Sequence, residues 1–335
     1  MIIAGDAQMI LLTGAFGNVG ESTLIHLIEK GYTVRIFDLD TDENRKKAQK
    51  YQDHIEVMWG DIRNIKDVKK AVKDIDVVIH VAAVIPPLAD KNPELARAVN
   101  VEGTKNIVKA LHPETRLIYT SSVSVYGDRV DNPFITVDDP VHPNEEDEYA
   151  KTKVAAEKIV MNSGVLWVIF RLTYIVSPEK LEMDPLMFHM PLNTCIEVCH
   201  TQDTGKALAN AVGNDMVWGK IFHIAGGEKC RTTYREYLNR MMDIFGLGEN
   251  WLPEEAFSTG KFHCGYMDTA ESQELLQYQE HTIEDYYTEV KNQVGYKQWV
   301  TKLFQWAARV HVLSKSPFYR ECSKKRIMEF TSLNT

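Results

Sequence analysis

The 335-residue sequence contains no stretch approaching the roughly 20 apolar residues of a membrane span, and its opening MIIAGDAQMILLTGAFG lacks the cationic start of a secretory signal. Those two absences make the cytoplasm the expected compartment. Cysteine is sparse: Cys195, Cys199, Cys230, Cys264 and Cys322 are five, an odd number scattered late in the chain. That pattern suits reduced, buried thiols better than a disulfide framework. Positive charge is not in excess either, since 38 Lys/Arg face 47 Asp/Glu for a net charge of −9. A broad electrostatic grip on nucleic acid is thereby excluded as an expectation. Repeats, low-complexity tracts and long blocks of one charge are missing too, while 44% hydrophobic residues suffice for a sizeable core.

What is present is an alternation of short apolar runs with helical patterns. Met9–Thr13 reads as a strand ending at Gly14, and Leu24, Ile25, Leu27 and Ile28 give the following segment a helical face up to Gly31. Further strands are expected at Thr33–Phe37, Ile55–Met58, Val77–Val81, Leu117–Thr120, Val165–Phe170 and Lys220–Ile224. Helices are expected around Val68–Val72, Glu94–Leu111, Glu148–Met161 and Thr233–Phe245. Such alternation implies right-handed crossovers and a parallel sheet covered on both faces, an α/β doubly wound arrangement. After Arg171 the pattern is interrupted by Pro178, Pro185 and Pro191. A smaller substrate-binding lobe is expected there, which gives a dinucleotide-binding domain over 1–171, a lobe over 172–295 partly interleaved with the sheet, and a helical extension over 296–335.

Between the first strand and first helix lies Thr13-Gly14-Ala15-Phe16-Gly17-Asn18-Val19-Gly20, with glycines at three-residue spacing. This is where a backbone must approach a pyrophosphate and helix-end amides can bind it. Asp38, at the end of the second strand, is placed to accept the ribose hydroxyls of an adenosine and to repel a 2′-phosphate, which favours NAD over NADP. Arg35 and Arg45 nearby keep a phosphorylated cofactor open.

Tyr149 and Lys153 are four apart on one predicted helix, so a phenol and an ammonium can share one site. A cationic neighbour lowers a phenol's pKa, which would make Tyr149 a general base near neutral pH and a general acid in reverse. Upstream, Thr120-Ser121-Ser122-Val123-Ser124-Val125-Tyr126-Gly127 puts hydroxyls just after a strand, at the edge where an open α/β sheet binds its ligand.

In chain order, Gly14-x-x-Gly17-x-x-Gly20, Asp61-Ile62, His80-Val81-Ala82-Ala83, Asn100-Val101-Glu102-Gly103-Thr104, Ser121-Ser122, Val125-Tyr126-Gly127 and Tyr149-x-x-x-Lys153 form a set. The set resembles that of the extended short-chain dehydrogenases/reductases, in particular the NAD-dependent epimerase/dehydratase group, over about residues 9 to 245. The resemblance implies a Rossmann-type fold and NAD bound by Gly14, Phe16, Gly17, Asn18, Val19, Gly20, Asp38, Asp61, Ile62, Val81, Ala82, Ala83, Tyr149 and Lys153. It further implies Ser122, Tyr149, Lys153 and Asn100 as catalytic residues, with Asn100 ordering the helix beside the site, and a homodimer formed through the helices near 94–111 and 148–161.

Departures narrow the activity. The dehydratases of the group carry an Asp-Glu pair where this chain has Val123 and Ser124, which disfavours dehydration. Nucleotide-sugar epimerases carry an arginine in the segment after the sixth strand, whereas here no Arg or Lys follows Lys180 up to Val198 to pair a diphosphate. The expectation is an NAD-dependent epimerase or dehydrogenase/reductase acting on a small hydroxyl or carbonyl compound. Alternatives are a nucleotide-sugar 4-epimerase and a catalytically silent NAD(P)-sensing regulator.

Two features stand apart. Cys195, Cys199 and His200 with His189, and Cys230 with His263 and Cys264, match no standard zinc spacing, and no metal is expected. Trp299, Leu303, Trp306 and Val310 fall on one helical face, and residues 301–335 carry seven Lys/Arg against two Asp/Glu. The expectation is that this stripe packs on its own protein or a dimer mate rather than on a membrane.

Overall fold

The computed structural model describes residues 8–181, 183–322 and 324. Its centre is a seven-stranded parallel sheet. The elements run β1 (Met9–Thr13), α1 (Asn18–Glu29), β2 (Thr33–Asp38), α2 (Asp42–Gln49), β3 (Ile55–Trp59), α3 (Ile65–Ala71) and β4 (Val77–His80). Then come α4 (Leu88–Lys91), α5 (Pro93–Ala96), a π-helical stretch Arg97–Gly103, α6 (Thr104–Ala110) and β5 (Arg116–Ser122). The fold continues through β6 (Phe134–Ile135), α7 (Glu148–Met161), β7 (Trp167–Leu172), β8 (Tyr174–Val176), β9 (Cys195–His200), α8 (Thr201–Val212) and β10 (Lys220–Ile224). It closes with β11 (Arg231–Thr233), α9 (Tyr234–Ile244), β12 (Tyr266–Met267), α10 (Ala270–Leu276), α11 (Ile283–Val294), α12 (Lys297–Leu303) and α13 (Gln305–Leu313).

The sheet order β10-β7-β5-β4-β1-β2-β3 reverses direction of winding between β1 and β4. In an open α/β sheet that switch point leaves a crevice beyond the strands' carboxyl ends, where ligands bind. The strand interiors are apolar on both faces, as helices on both sides require: Ile10, Leu11 and Leu12 of β1 and Val77, Val78 and Ile79 of β4 are fully buried. Residues beyond 171 complete this layer, because β10 forms the sheet edge and α8 packs on α1. There a Cβ on Gly205 would fall 2.3 Å from Ser22 Oγ, so only glycine lets the two helices approach.

The smaller lobe gathers a three-stranded sheet, β11-β9-β8, with α9 and α11 around its own core. A second small sheet pairs β12 with β6 in parallel. Glu197, on β9 and wholly buried, binds the two together by accepting from Gly227 N at 2.9 Å, Arg231 Nε at 2.8 Å and Met267 N at 3.0 Å.

The expected strands are all present within two residues, but the expected helix 94–111 is broken into α5, the π-helical stretch and α6. A buried Asn100 lies in the widened stretch. The expectation for the carboxyl-terminal stripe is overturned as far as its own protein is concerned: Trp299, Leu303, Trp306 and Val310 are exposed. Within α13 only Val312 and Leu313 are buried. Among the described residues no helix is long and apolar enough to cross a membrane.

Candidate active site

One cavity of about 810 Å³ opens at the switch point and runs from the glycine turn to β5, α7 and the start of the lobe. At its first end Gly14 takes a left-handed φ of +68°, and a Cβ there would sit 2.7 Å from Ala82 Cα. Gly20 is equally constrained, since its Cβ would lie 2.1 Å from Gly14 O. These contacts press the turn between β1 and β4, while Gly17, the cap residue of α1, contributes no side chain to the helix end. The first-turn amides of α1 therefore face the cavity without a competing side-chain cap, a site suited to a phosphate.

Asp38 lines the same end. Its carboxylate accepts from Leu39 N at 2.8 Å and Phe16 N at 3.2 Å, and burial, only partly offset by those bonds, moves its pKa up. The two arginines that left a 2′-phosphate open are occupied elsewhere. Arg45 holds Asp40 at 2.5 and 2.7 Å, and Arg35 binds Glu56 at 2.9 Å and the carbonyls of Ala71 and Lys73. Asp61, held low by its hydrogen bonds with Arg63, and Ile62 form the neighbouring wall, and Asn106 Nδ2 fixes their loop through Ile62 O at 3.0 Å. Phe16, Asn18, Val19, Val81, Ala82 and Ala83 also line the cavity.

Beneath that wall runs a buried chain of polar groups whose bonding to one another no motif signalled. Ala82 N donates to Thr13 Oγ1 at 3.3 Å, Thr13 Oγ1 meets His80 Nδ1 at 2.8 Å, and His80 Nε2 meets Thr104 Oγ1 at 3.0 Å. Thr104 Oγ1 in turn donates to Asn100 O at 2.7 Å, which leaves its oxygen to accept and assigns the proton to His80 Nε2. Burial drives the His80 pKa down to about 3, so the ring stays neutral and serves as a fixed strut.

At the other end, Tyr149 from the first turn of α7 and Ser122 at the end of β5 line the same stretch of the cavity. Ser122 Oγ also accepts from Ser124 N at 3.2 Å and Ser124 Oγ at 3.0 Å, which sets its rotamer. Lys153, one turn along α7, is 2% exposed and donates to Thr120 O at 2.8 Å, with its ammonium 5.8 Å from the Tyr149 ring centroid and 4.9 Å from that of Tyr119. Ser122, Tyr149 and Lys153 thus converge in the cavity, and an ammonium with one bonded hydrogen keeps two to offer a ligand.

The electrostatics differ from the expectation of a tyrosine lowered by its lysine. Burial pushes the Tyr149 phenol above its ordinary value, against the lowering influence of the nearby Ser122 hydroxyl, and the same burial brings the Lys153 ammonium down to about 7, against the pull of Glu157. Burial makes both groups resist charge, so the pair's proton leaves from the lysine first.

Asn100, expected among the catalytic residues, does not line the cavity. It is buried, with Oδ1 accepting from Val84 N at 2.7 Å and Nδ2 donating to Val84 O at 2.9 Å and Thr152 Oγ1 at 3.0 Å. It clamps the loop after β4 to the helix that carries Tyr149 and Lys153. Tyr174, which carried no expectation, also lines the cavity, as do His263 and Cys264, weighed above only as metal ligands. Tyr174 and Cys264 come from segments without a distinctive pattern, and Cys230 does not line the cavity with His263 and Cys264. Among the described residues no three His, Cys, Asp or Glu side chains gather as a metal site requires.

Residues 11–167 match the 3-beta hydroxysteroid dehydrogenase/isomerase family. That likeness covers the amino-terminal segment, just under half of the chain. A 3-beta-hydroxysteroid dehydrogenase of Mycolicibacterium neoaurum is 34% identical over 168 residues, 48% of this chain and 44% of the relative. A decarboxylating sterol-4-alpha-carboxylate 3-dehydrogenase of Mus musculus is 31% identical over 160 residues, 47% of this chain and 42% of the relative. The chain thus spans less than half the length of these two relatives.

In fold the likeness runs further. A dTDP-glucose 4,6-dehydratase of Streptomyces venezuelae, crystallised with NAD, superposes with a TM-score of 0.73 at 20% identity, covering 89% of this chain and 98% of that one. A UDP-glucose 4-epimerase of Thermotoga maritima, crystallised with UDP-glucose, gives 0.70 at 16% identity, covering 85% and 98%. The fold therefore extends through the lobe, beyond the segment where sequence likeness is found.

Proposed function

We propose that the chain is an NAD-dependent enzyme that moves a hydride between the nicotinamide C4 and a substrate carbon bearing a hydroxyl or carbonyl, with net oxidation or reduction as its outcome. The observation that carries this reading is the convergence of Ser122, Tyr149 and the buried Lys153 in the same cavity as the Gly14–Gly20 turn and Asp38. The residues fit the dinucleotide: a turn that tolerates no Cβ at Gly14 or Gly20, a helix end without a side-chain cap, a carboxylate for the ribose diol, and an ammonium with two hydrogens to spare for the second ribose.

When bound, NAD supplies the hydride acceptor or donor. Tyr149 exchanges the proton of the substrate oxygen, and Ser122 orients that oxygen through its hydroxyl. Lys153, titrating near neutrality, lets the pair hold or release one proton across the working pH range. Asp38, with Arg35 and Arg45 both engaged, supports NAD over NADP.

The substrate we assign is a compound with a bulky apolar body. Ile85, Leu88 and Tyr174 line the cavity and remain exposed, and no cation follows Lys180 through Val198 to pair a nucleotide diphosphate. The names of the sequence relatives, which act on sterols, agree with this reading. A homodimer through α6 and α7 completes the proposal.

The test is turnover on a panel of alcohols, ketones and sugar nucleotides. Tyr149→Phe should lower kcat about 100-fold or more while the NAD Kd changes by less than about threefold. Full activity in Tyr149→Phe overturns the assignment, and a wild type inert on every compound, yet retaining NAD by mass spectrometry after denaturation, favours a dinucleotide sensor.

A further inference from the structure

The segment after α11 carries the largest concentration of exposed apolar surface in the described chain. Tyr296 is 78% exposed, Trp299 69%, Leu303 81%, Phe304 64%, Trp306 77% and Val310 54%. This is no unanchored tail. Val312 and Leu313 of α13 are buried in the lobe core, and Ser316 Oγ, itself buried, donates to Ala256 O at 2.6 Å. The helix pair is thus fixed along one side while its aromatic side faces outward. Water does not tolerate such contiguous ridges cheaply, and soluble surfaces seldom show them without an occupant.

Charge identifies that occupant. From Gly295 to Arg320 the sequence has five Lys/Arg and no Asp or Glu, within a chain of net charge −9. Lys302 stands over the Trp299 ring at 5.8 Å, so cation and aromatic share one front. At the base of the ridge a second cavity of about 450 Å³ is lined by Arg240, Lys291 and Lys302, with Asp243 as its acid. Arg240 is also paired with Glu284 at 3.3 Å, which leaves the two lysines as the cavity's mobile cations. Tryptophan and tyrosine settle at the headgroup level of a bilayer, and basic residues beside an apolar helix face are drawn to anionic lipid. A second copy of this chain fits less well, because a two-fold contact through the ridge would set this basic segment against the same basic segment, which has no Asp or Glu from Gly295 to Arg320 to offset the charge.

We propose that α12 and α13 form an interfacial anchor that lays Trp299, Leu303, Phe304 and Trp306 into the surface of an anionic bilayer, with the Lys291–Lys302 cavity receiving a lipid headgroup phosphate. The anchor lies on the surface and does not span.

The experiment is cosedimentation of the full chain with phosphatidylcholine vesicles containing about 30 mol% phosphatidylserine, with tryptophan fluorescence read in parallel. The wild type should bind, shift its emission to the blue, and bind pure phosphatidylcholine at least about tenfold more weakly; about 0.5 M salt should release it. Trp299→Ala/Trp306→Ala and Lys302→Glu/Arg309→Glu should each weaken binding about tenfold or more, with thermal unfolding unchanged because all four side chains are exposed. If one pair fails to fold, the salt dependence of the wild type and the other pair still decide. Absence of wild-type binding to the anionic vesicles overturns the proposal, as does binding that both pairs leave intact. Light scattering gives a further refutation: an oligomer that Trp299→Ala/Trp306→Ala dissociates would make the ridge an interface between copies.

Discussion

Lys153 offers the sharpest test of the site's electrostatics. Its ammonium is buried, has one hydrogen bond, to Thr120 O, and is brought from 10.5 down to about 7 by burial. Between those two values the unfolded chain binds a proton that the folded chain does not, so the stability attributable to this residue rises with pH across the window. The slope is about 1.4 kcal/mol per pH unit, and the whole span from about 7 to 10.5 corresponds to about 5 kcal/mol. Below about pH 7 both states are protonated and the penalty is constant. Lys153→Met removes the titration while keeping most of the volume. Urea unfolding of the two proteins at several pH values isolates the effect, because other titrating groups cancel in the difference. Tyr149, pushed upward by burial, keeps its proton through the window and does not confound it. Lys153→Met should be the more stable protein at pH 6.5, and its advantage should shrink by about 3 kcal/mol between pH 7.5 and 9.5. Parallel stability curves would show that the buried ammonium keeps its ordinary pKa and would refute the reasoning.

Three more outcomes follow from the same geometry. The rate of alcohol oxidation at limiting substrate should rise as pH passes through about 7, where the Tyr149–Lys153 pair loses its first proton, and carbonyl reduction should fall over the same range; flat profiles from pH 5.5 to 9.5 would contradict this. Gly20→Ala, whose Cβ would meet Gly14 O at 2.1 Å, should weaken NAD binding at least about 100-fold by calorimetry, since the turn must open to admit it. Arg171→Met should cost about 3–5 kcal/mol in urea unfolding, because it strands the buried Glu157 that Arg171 now holds at 2.8 and 3.0 Å; adding Glu157→Leu should restore much of the loss.

Legibility varied with how local each signal was. The glycine turn, Asp38, Ser122, Tyr149 and Lys153 were readable because each is tied to a fixed point of a strand–turn–helix unit or to one helix face. By contrast, α2 escaped notice: its sequence DENRKKAQ carries no apolar stripe, only Ala48 is buried, and its start is set by the Thr41 side chain accepting from Asn44 N. The bonding that threads Ala82, Thr13, His80, Thr104 and Asn100 together was invisible for another reason. Its members lie on β1, β4, the loop after β4, the π-helical stretch and α6, and nothing in their spacing says which will bond until packing joins them.

The sequence alone determined the order of strands and helices, the parallel sheet and the residues offered to a dinucleotide and a proton transfer, since hydrophobic period and turn chemistry act over a few neighbours. Tertiary packing decided the rest. It moved Asn100 from the reacting centre to a clamp on Val84, engaged Arg35 and Arg45 away from the cavity, and brought Tyr174, His263 and Cys264 to the wall facing Tyr149. It also set the protonation of Lys153 and Tyr149, because desolvation depends on everything that surrounds a group. Helical spacing could place the two side chains together, but only burial could turn the lysine into the pair's first proton donor.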